Sequence, residues 1–440
     1  MLNIIFNTIP LAAVSAWALN HEVIMEVIIT GAGIGGLTLG LRLHQLGIPC
    51  RIFEAAPELK PLGVGINLLP HATKELAELG LLPALERVAI TTTDISYYNR
   101  YGQFIYNDPS GRFAGYEFPQ FSIHRGDLHM VLLDAFRERA GADRVITGHK
   151  CIRVDQDAMR ATAYFEHPVT KESLPPQSGD VVICCEGIHS MIRKQFYPNE
   201  GPPRYSGINM WRGVTRWKPY LTGASMVRIG WLNVAKVLVY PIRDNIDAEG
   251  RQLINWVLDI ETPNYKPERD WNRPGRLEDF IDRVADWHFD WLDVPEMMRH
   301  ADSILEFPMI DQDPLPRWSF GRVTLLGDAA HPMLPRGANG AAQAILDCRA
   351  ISECLISASD PVAALKAYED RRLQPTANVV LTNRTNPPDA ILREVYLRTG
   401  DKPFRSIEDV ISHAELAALS ERYQRVAGFD KETLQAAGKR

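Results

Sequence analysis

Met25-Glu26-Val27-Ile28-Ile29-Thr30-Gly31-Ala32-Gly33-Ile34-Gly35-Gly36 is the most informative stretch of this 440-residue chain. Glu26 to Thr30 is rich in apolar and β-branched residues and reads as a buried strand. Gly31 to Gly36 fits GxGxxG and reads as a turn, Leu37 to Leu46 as a helix, and Cys50 to Glu54 as a second strand. That order is a βαβ unit opening a doubly wound sheet. In such a unit the first glycine makes the tight turn and the second lets backbone approach a pyrophosphate. The third lets helix and strand pack closely. The helix N-terminus then offers free N–H groups and a positive dipole end to the phosphates. Gly31, Gly33, Ile34, Gly35 and Gly36 are therefore candidate ligands of a dinucleotide. Glu54 closes the second strand about 20 residues further on, where a carboxylate accepts from ribose hydroxyls. A glycine turn alone is weak evidence, but strand, helix and terminal acid together make a purely structural turn the poorer reading. The turn does not distinguish FAD from NAD.

Far downstream, Val323-Thr324-Leu325-Leu326-Gly327-Asp328-Ala329-Ala330-His331-Pro332 again places glycine and an acid directly after a short buried strand. A carboxylate there suits the hydroxyls of a flavin's ribityl chain; the competing role for Asp328 is a helix N-cap. Pro335-Arg336-Gly337-Ala338-Asn339-Gly340 follows, before a long helix from about Ala338 to Ile356. Its backbone N–H groups could donate to the pyrimidine edge of a flavin, and the helix dipole would favour negative charge there. His331 reads as a capping or packing histidine in preference to a base.

From Ser206 to Ile260 the pattern becomes strand-rich, over Ile208–Thr215, Ser225–Trp231, Ala235–Tyr240 and Gln252–Ile260. This predicts a second, mostly antiparallel sheet, whose tryptophans 211, 217, 231 and 256 belong to a core more often than to a stacking platform. The expected division is a leader over 1–24 and a discontinuous cofactor domain over 25–96, 118–205 and 305–380. A substrate domain is inserted over 97–117 and 206–304, and a helical segment closes the chain over 381–440. The leader is apolar from Leu2 to Leu19 but has no Lys or Arg in front and is interrupted by Asn7, Thr8, Pro10 and Ser15, which makes a poor signal peptide and a marginal membrane span. Net charge of −6 gives no reason to expect nucleic acid or an anionic membrane as partner. Six cysteines without a CxxC pair read as reduced thiols of a cytoplasmic protein, not as a zinc or disulfide framework.

The GxGxxG turn with Glu54, the Gly327-Asp328 stretch and Cys185-Glu186-Gly187-Ile188-His189-Ser190-Met191-Ile192-Arg193 together resemble the single-component FAD-dependent monooxygenases of the para-hydroxybenzoate hydroxylase family. The three elements span about residues 26 to 380. Within that family Gly63–Asn67, Ser122–Leu128 and Met210–Thr215 are similar to the phenazine-carboxylate monooxygenases. The resemblance implies an α/β fold, with a Rossmann-like FAD-binding domain interrupted by an antiparallel substrate sheet. It implies bound FAD and transient NAD(P)H, since no second GxGxxG follows a strand. A small aromatic substrate and molecular oxygen would then meet through a flavin C4a-hydroperoxide.

It also implies that Ala55, Val64 and Gly65 lie along FAD, that Arg125 helps hold it, and that Asp328, Pro335, Gly337, Ala338 and Asn339 surround its ring end. Arg42 would approach the ribityl or pyrophosphate region, or else be an exposed surface arginine. The chemistry is carried by the flavin, with Arg212, Pro335 and Arg336 as the candidates beside it. Arg336 would meet an anionic substrate or point to solvent. Trp211 and Arg212 are neighbours on a strand, so at most one faces the cavity. Glu186 stands where the family has Asp, which bears on nicotinamide docking. The expected assembly is a monomer or homodimer. Two rivals are a flavin-binding regulator without turnover and a flavin halogenase. For the halogenase, Trp287-His288-Phe289-Asp290-Trp291 has the wrong spacing.

Overall fold

The computed structural model describes residues 25–264 and 273–437, so the leader expected over 1–24 lies outside the described residues. Within them a six-stranded sheet runs in the order Ser319–Phe320, Val323–Leu325, Val181–Cys184, Val27–Thr30, Cys50–Phe53, Val145–Ile146. Its pairs are parallel except for the edge hairpin of Ser319–Phe320 with Val323–Leu325. Val27 to Thr30 and Val181 to Cys184 are buried throughout, as central parallel strands must be. Helix Ile34–Gln45 packs against helices Arg125–Ala140 and Gly340–Ser357. It starts at Ile34, before the expected Leu37, because Gly33 in extended conformation serves as N-cap and the glycines themselves form the first turn. Gly40 on this helix lets it close on the sheet: a Cβ there would stand 2.7 Å from Phe136 Cε2 and 2.8 Å from Ile52 Cδ1.

The second sheet is seven-stranded, in the order Ala301–Asp311, Arg204–Trp217, Gln252–Glu261, Ala235–Arg243, Ser225–Trp231, Asp94–Tyr98, Phe104–Pro109. It is antiparallel apart from the pair Ser225–Trp231 with Asp94–Tyr98. The sheet exceeds the expected boundaries at both ends. Asp94–Tyr98 begins before residue 97, and Ala301–Asp311 runs past 304 because its pairing with Arg204–Thr215 continues to Asp311. One face packs on residues 277–298 around Trp211, Trp256, Phe280 and Trp287. Gly213 is required there, since a Cβ would lie 2.2 Å from the Trp256 ring. The other face looks toward the cofactor half.

Two short strands join the halves. Gly65–Leu68 pairs antiparallel with Phe121–His124, and the Gly65 backbone is gripped from the large sheet by Asn255 Oδ1, which accepts its N–H at 2.7 Å, and by Arg212, which donates to its carbonyl at 2.7 Å. A side chain at Gly65 would strike Asn255 and Tyr240 at 2.7 Å. The C-terminal helices Pro361–Thr385, Ala390–Thr399, His413–Ala427 and Lys431–Ala437 fold back over both halves. Ser412 opens the third of these with a capping box to Glu415, and Gly428 ends it at φ +77°. Among the described residues no helix is long and apolar enough to cross a membrane.

Candidate functional site

The first turn is set by backbone contacts. Gly31 (φ +97°) donates to Phe53 O at 2.7 Å, and a Cβ on it would lie 2.5 Å from Cys185 O. A Cβ on Gly36 would lie 1.9 Å from Gly31 O, whereas one on Gly33 would meet no atom within 4 Å. Two glycines are thus demanded by the protein's own packing, and the middle one leaves room on the ligand side. The helix that follows has no side-chain cap and no acid in its first turn, so its N–H groups and dipole remain for an anion. Glu54 is already oriented: Oε2 accepts from Ala32 N–H and Oε1 from Ala56 N–H, both at 2.7 Å. Glu186 folds back and accepts from Ser190 Oγ at 2.6 Å; burial raises its carboxyl pKa, while Ser190, Thr30 and Cys151 oppose the shift.

The second element is a single tight turn, Gly327–Ala329, in which Asp328 makes no capping bond and faces a cavity. Its surroundings raise its pKa by desolvation, against the pull of His331 and Arg125. His331 turns away to Asp347 at 2.6 Å, and Arg372 donates to the other oxygen of Asp347 at 2.7 Å. Burial works against the Asp347 carboxylate, but the contacts from His331 and Arg372 outweigh it and hold its pKa below the usual range.

The cavity, of about 340 Å³, lies between the halves. Val64, Gly65, Arg125 and Asp328 border one side and the Pro335–Asn339 loop another. From the large sheet come Met210 and Arg212, Lys236, Leu238 and Tyr240, and Val257 and Asp259, each set sharing a face by strand alternation. Lys236 Nζ is held between Asp259 at 2.7 Å and Asp389 at 2.6 Å, and Arg336 Nη2 reaches Asp389 at 2.9 Å. Desolvation opposes the Asp389 charge, but Arg336, Lys236 and Arg228 overcome it and keep its pKa far below the usual carboxylate range. Tyr240 is buried, which raises its phenol pKa despite the nearby Arg212.

A family model described as FAD binding domain matches residues 24–212 and 285–383. The chain belongs to this family of FAD-dependent monooxygenases. It is 38% identical over 404 residues to phenazine 1,6-dicarboxylic acid hydroxylase PhzS of Lysobacter antibioticus, covering 91% of this chain and 97% of that protein. It is 30% identical to 3-amino-4-hydroxybenzoate 2-monooxygenase of Streptomyces cremeus, over 81% of this chain and 85% of that one. Two solved structures share the fold. Klebsiella pneumoniae HpxO complexed with FAD and uric acid has a TM-score of 0.72 at 23% identity, covering 94% of this chain and 98% of that one. A salicylate hydroxylase substrate complex has a TM-score of 0.69 at 21% identity, covering 93% and 97%.

For this FAD-dependent monooxygenase the structure brings the expected residues together in two places. Gly31, Gly33, Ile34, Gly35, Gly36, Glu54 and Ala55 cluster at the first turn and the end of its second strand. Val64, Gly65, Arg125, Arg212, Asp328, Pro335, Arg336, Gly337, Ala338 and Asn339 line the cavity. Arg212 faces the cavity, while Trp211 lies in the opposite core. None of tryptophans 211, 217, 231 and 256 lines the cavity. Two expectations need correction. Arg42 neither approaches the cofactor groove nor stands exposed; it pairs with Glu75 at 2.6 Å and Glu78 at 3.2 Å, its side chain only 11% exposed. Arg336 does not point to solvent: it is buried, lines the cavity and pairs through Nη2 with Asp389 at 2.9 Å. Lys236, Tyr240, Asp389 and Tyr423 were not expected. The alternation of Lys236, Leu238 and Tyr240 on one strand held a signal for the first two; nothing local marks the others.

Proposed function

We propose that the enzyme hydroxylates an aromatic or heteroaromatic ring carrying a phenol or carboxylate, held in the cavity between Gly65 and the Pro335–Asn339 loop. The observation that carries this is the cavity itself: apolar side chains of the large sheet, Met210, Leu238 and Val257, line it together with the glycine-containing segments at Gly65 and Gly337, beside which a flat cofactor ring would lie. The groups present suit FAD. The open side of Gly33 and the uncapped helix would take the pyrophosphate, and the oriented carboxylate of Glu54, followed by Ala55, the adenosine ribose. Arg125 and Asp328 would take the ribityl and pyrophosphate region, and Val64, Gly65, Pro335, Gly337, Ala338 and Asn339 the ring. When bound, FAD would supply acceptance of hydride from transient NAD(P)H and activation of molecular oxygen for aromatic hydroxylation.

The chain's own part is positioning and exclusion of water. Arg212, fixed by its bond to the Gly65 carbonyl, presents a cation that favours an ionised phenol or carboxylate. Tyr240 keeps its proton at neutral pH, because burial raises its pKa, and so stays available as a donor. We also place the protein in the cytoplasm, as a monomer or homodimer. Its six cysteines are free, which suits a reducing compartment.

The test is NAD(P)H-dependent oxygen uptake across phenols, aromatic carboxylates and phenazines, with product mass read alongside. Substrate-dependent uptake with a product heavier by one oxygen is expected. A yellow, FAD-loaded protein that consumes no oxygen with any of them would favour a regulatory role.

A further inference from the structure

The Pro335–Asn339 loop holds Ala338 at φ +57°, a left-handed conformation disfavoured for any residue but glycine. Contacts from outside the loop hold it there. Arg336 is tied to Asp389 at 2.9 Å, and Asp389 to Lys236 on the large sheet at 2.6 Å. Asp389 sits at the start of helix Ala390–Thr399. Tyr423, on helix His413–Ala427, covers Gly337 so closely that a Cβ there would lie 2.0 Å from its hydroxyl. That hydroxyl accepts from Asn339 Nδ2 at 2.9 Å and donates to Asn383 Oδ1 at 2.7 Å. Gln343 Nε2 donates to both Asn339 Oδ1 at 3.1 Å and Ala427 O at 3.2 Å. Arg336, Gly337 and Asn339 are thus each gripped by residues that follow position 340, most of them in the C-terminal helices.

We propose that Asp389 and Tyr423 are positioning residues which impose the shape of this loop, so that the C-terminal segment sets the surface offered to the flavin ring. The inference rests on the placement of that ring under Proposed function. It also explains why a bulky arginine is tolerated in the loop: its charge is taken up by the buried Asp389. Loosening either grip lets Ala338 relax toward an ordinary conformation and withdraws the Gly337–Asn339 N–H groups from the ring.

The experiment compares the full-length protein with Tyr423→Phe, Asp389→Asn and the control Arg398→Ala, which loses an exposed ion pair with Glu415 in the same segment. Three readouts are taken: amide hydrogen exchange of residues 336–339 in the FAD-free protein, the Kd for FAD, and the visible spectrum of bound FAD. Tyr423→Phe keeps the ring and its packing, so it decides the matter even if Asp389→Asn does not fold. The expected result is faster loop exchange, an altered flavin spectrum and a Kd raised about fivefold, the size of one lost hydrogen bond, with the control unchanged. Parent-like exchange in Tyr423→Phe, or equal acceleration in the control, overturns the proposal. Loop exchange does not depend on FAD, so a failure of the parent to bind FAD would count against the functional reading and leave the loop result standing.

Discussion

The two cofactor elements are built on different plans. The turn at Gly31–Gly36 is closed by its neighbours: Phe53 O, Cys185 O and Gly31's own carbonyl dictate where glycine must stand. The loop at Pro335–Asn339 is clamped by side chains instead of backbone. Its partners lie 53 residues away at Asp389 and 84 away at Tyr423. A turn made of backbone sterics tolerates no change at the glycines that meet protein, and its failure is local. A loop clamped by distant side chains fails when any clamp is removed, and its failure reaches both halves of the molecule.

The largest effect expected from this contrast is at Asp389. Its folded-state pKa is lowered, so its ionised form stabilises the fold above the unfolded value, and that contribution is lost only in strong acid. Asp389→Ala removes the carboxylate from a buried cluster, leaves Arg336 uncompensated and Lys236 with Asp259 alone, a loss of about 3–5 kcal/mol. Urea unfolding at neutral pH measures it. A loss below about 1 kcal/mol would mean Lys236 and Arg336 find other partners, and the contrast with the first turn would weaken.

Within the first turn, Gly36→Ala and Gly33→Ala should part company. Gly36→Ala drives a methyl into the Gly31 carbonyl and should destabilise the FAD-free protein by about 1–3 kcal/mol. Gly33→Ala meets nothing in the protein and sits at ordinary φ −74°. The FAD-free protein should therefore melt within about 0.5 kcal/mol of the parent while FAD affinity collapses. Thermal unfolding paired with an FAD titration separates the two. Equal FAD affinity in parent and Gly33→Ala would show that the open side of the turn is not where the cofactor lies.

The smallest effect on the fold is at Asp328. Its pKa is raised, so the ionised side chain costs stability at neutral pH, a cost that solvent screens because Asp328 is exposed to the cavity and that fades as pH falls through the raised value. Asp328→Asn should therefore raise the melting temperature of the FAD-free protein at pH 7, an advantage that shrinks in acid. The same change should weaken FAD binding by the worth of a charge-assisted hydrogen bond, about 1.5–3 kcal/mol. A variant both less stable and unaltered in FAD affinity would make Asp328 a structural residue.

Much of this was readable without coordinates where a physical constraint is local. The strand Val27–Thr30, the glycines after it and Glu54 lie within one βαβ unit, where side-chain period and turn sterics leave few choices. The same holds for the facing of Arg212 and Trp211, which follows from strand alternation alone. Arg42 and Arg336 were misjudged because an arginine's environment depends on which carboxylate folding brings beside it. Glu75 comes from another helix and Asp389 from another segment. The domain boundaries expected at 97 and 304 fall inside the strands 94–98 and 301–311, because hydrogen-bond pairing, not hydrophobic period, decides where a ladder ends. By itself the sequence determined a dinucleotide-binding domain with an inserted sheet, since backbone geometry and burial patterns are written within short windows; that the dinucleotide is a flavin followed from the resemblance of the three motifs together. Only the tertiary structure decided that Lys236, Arg336 and Asp389 share one buried charge centre and that Tyr423 closes over Gly337. Electrostatic pairing acts through space, and the chain carries no local mark of which distant side chain will stand within 3 Å.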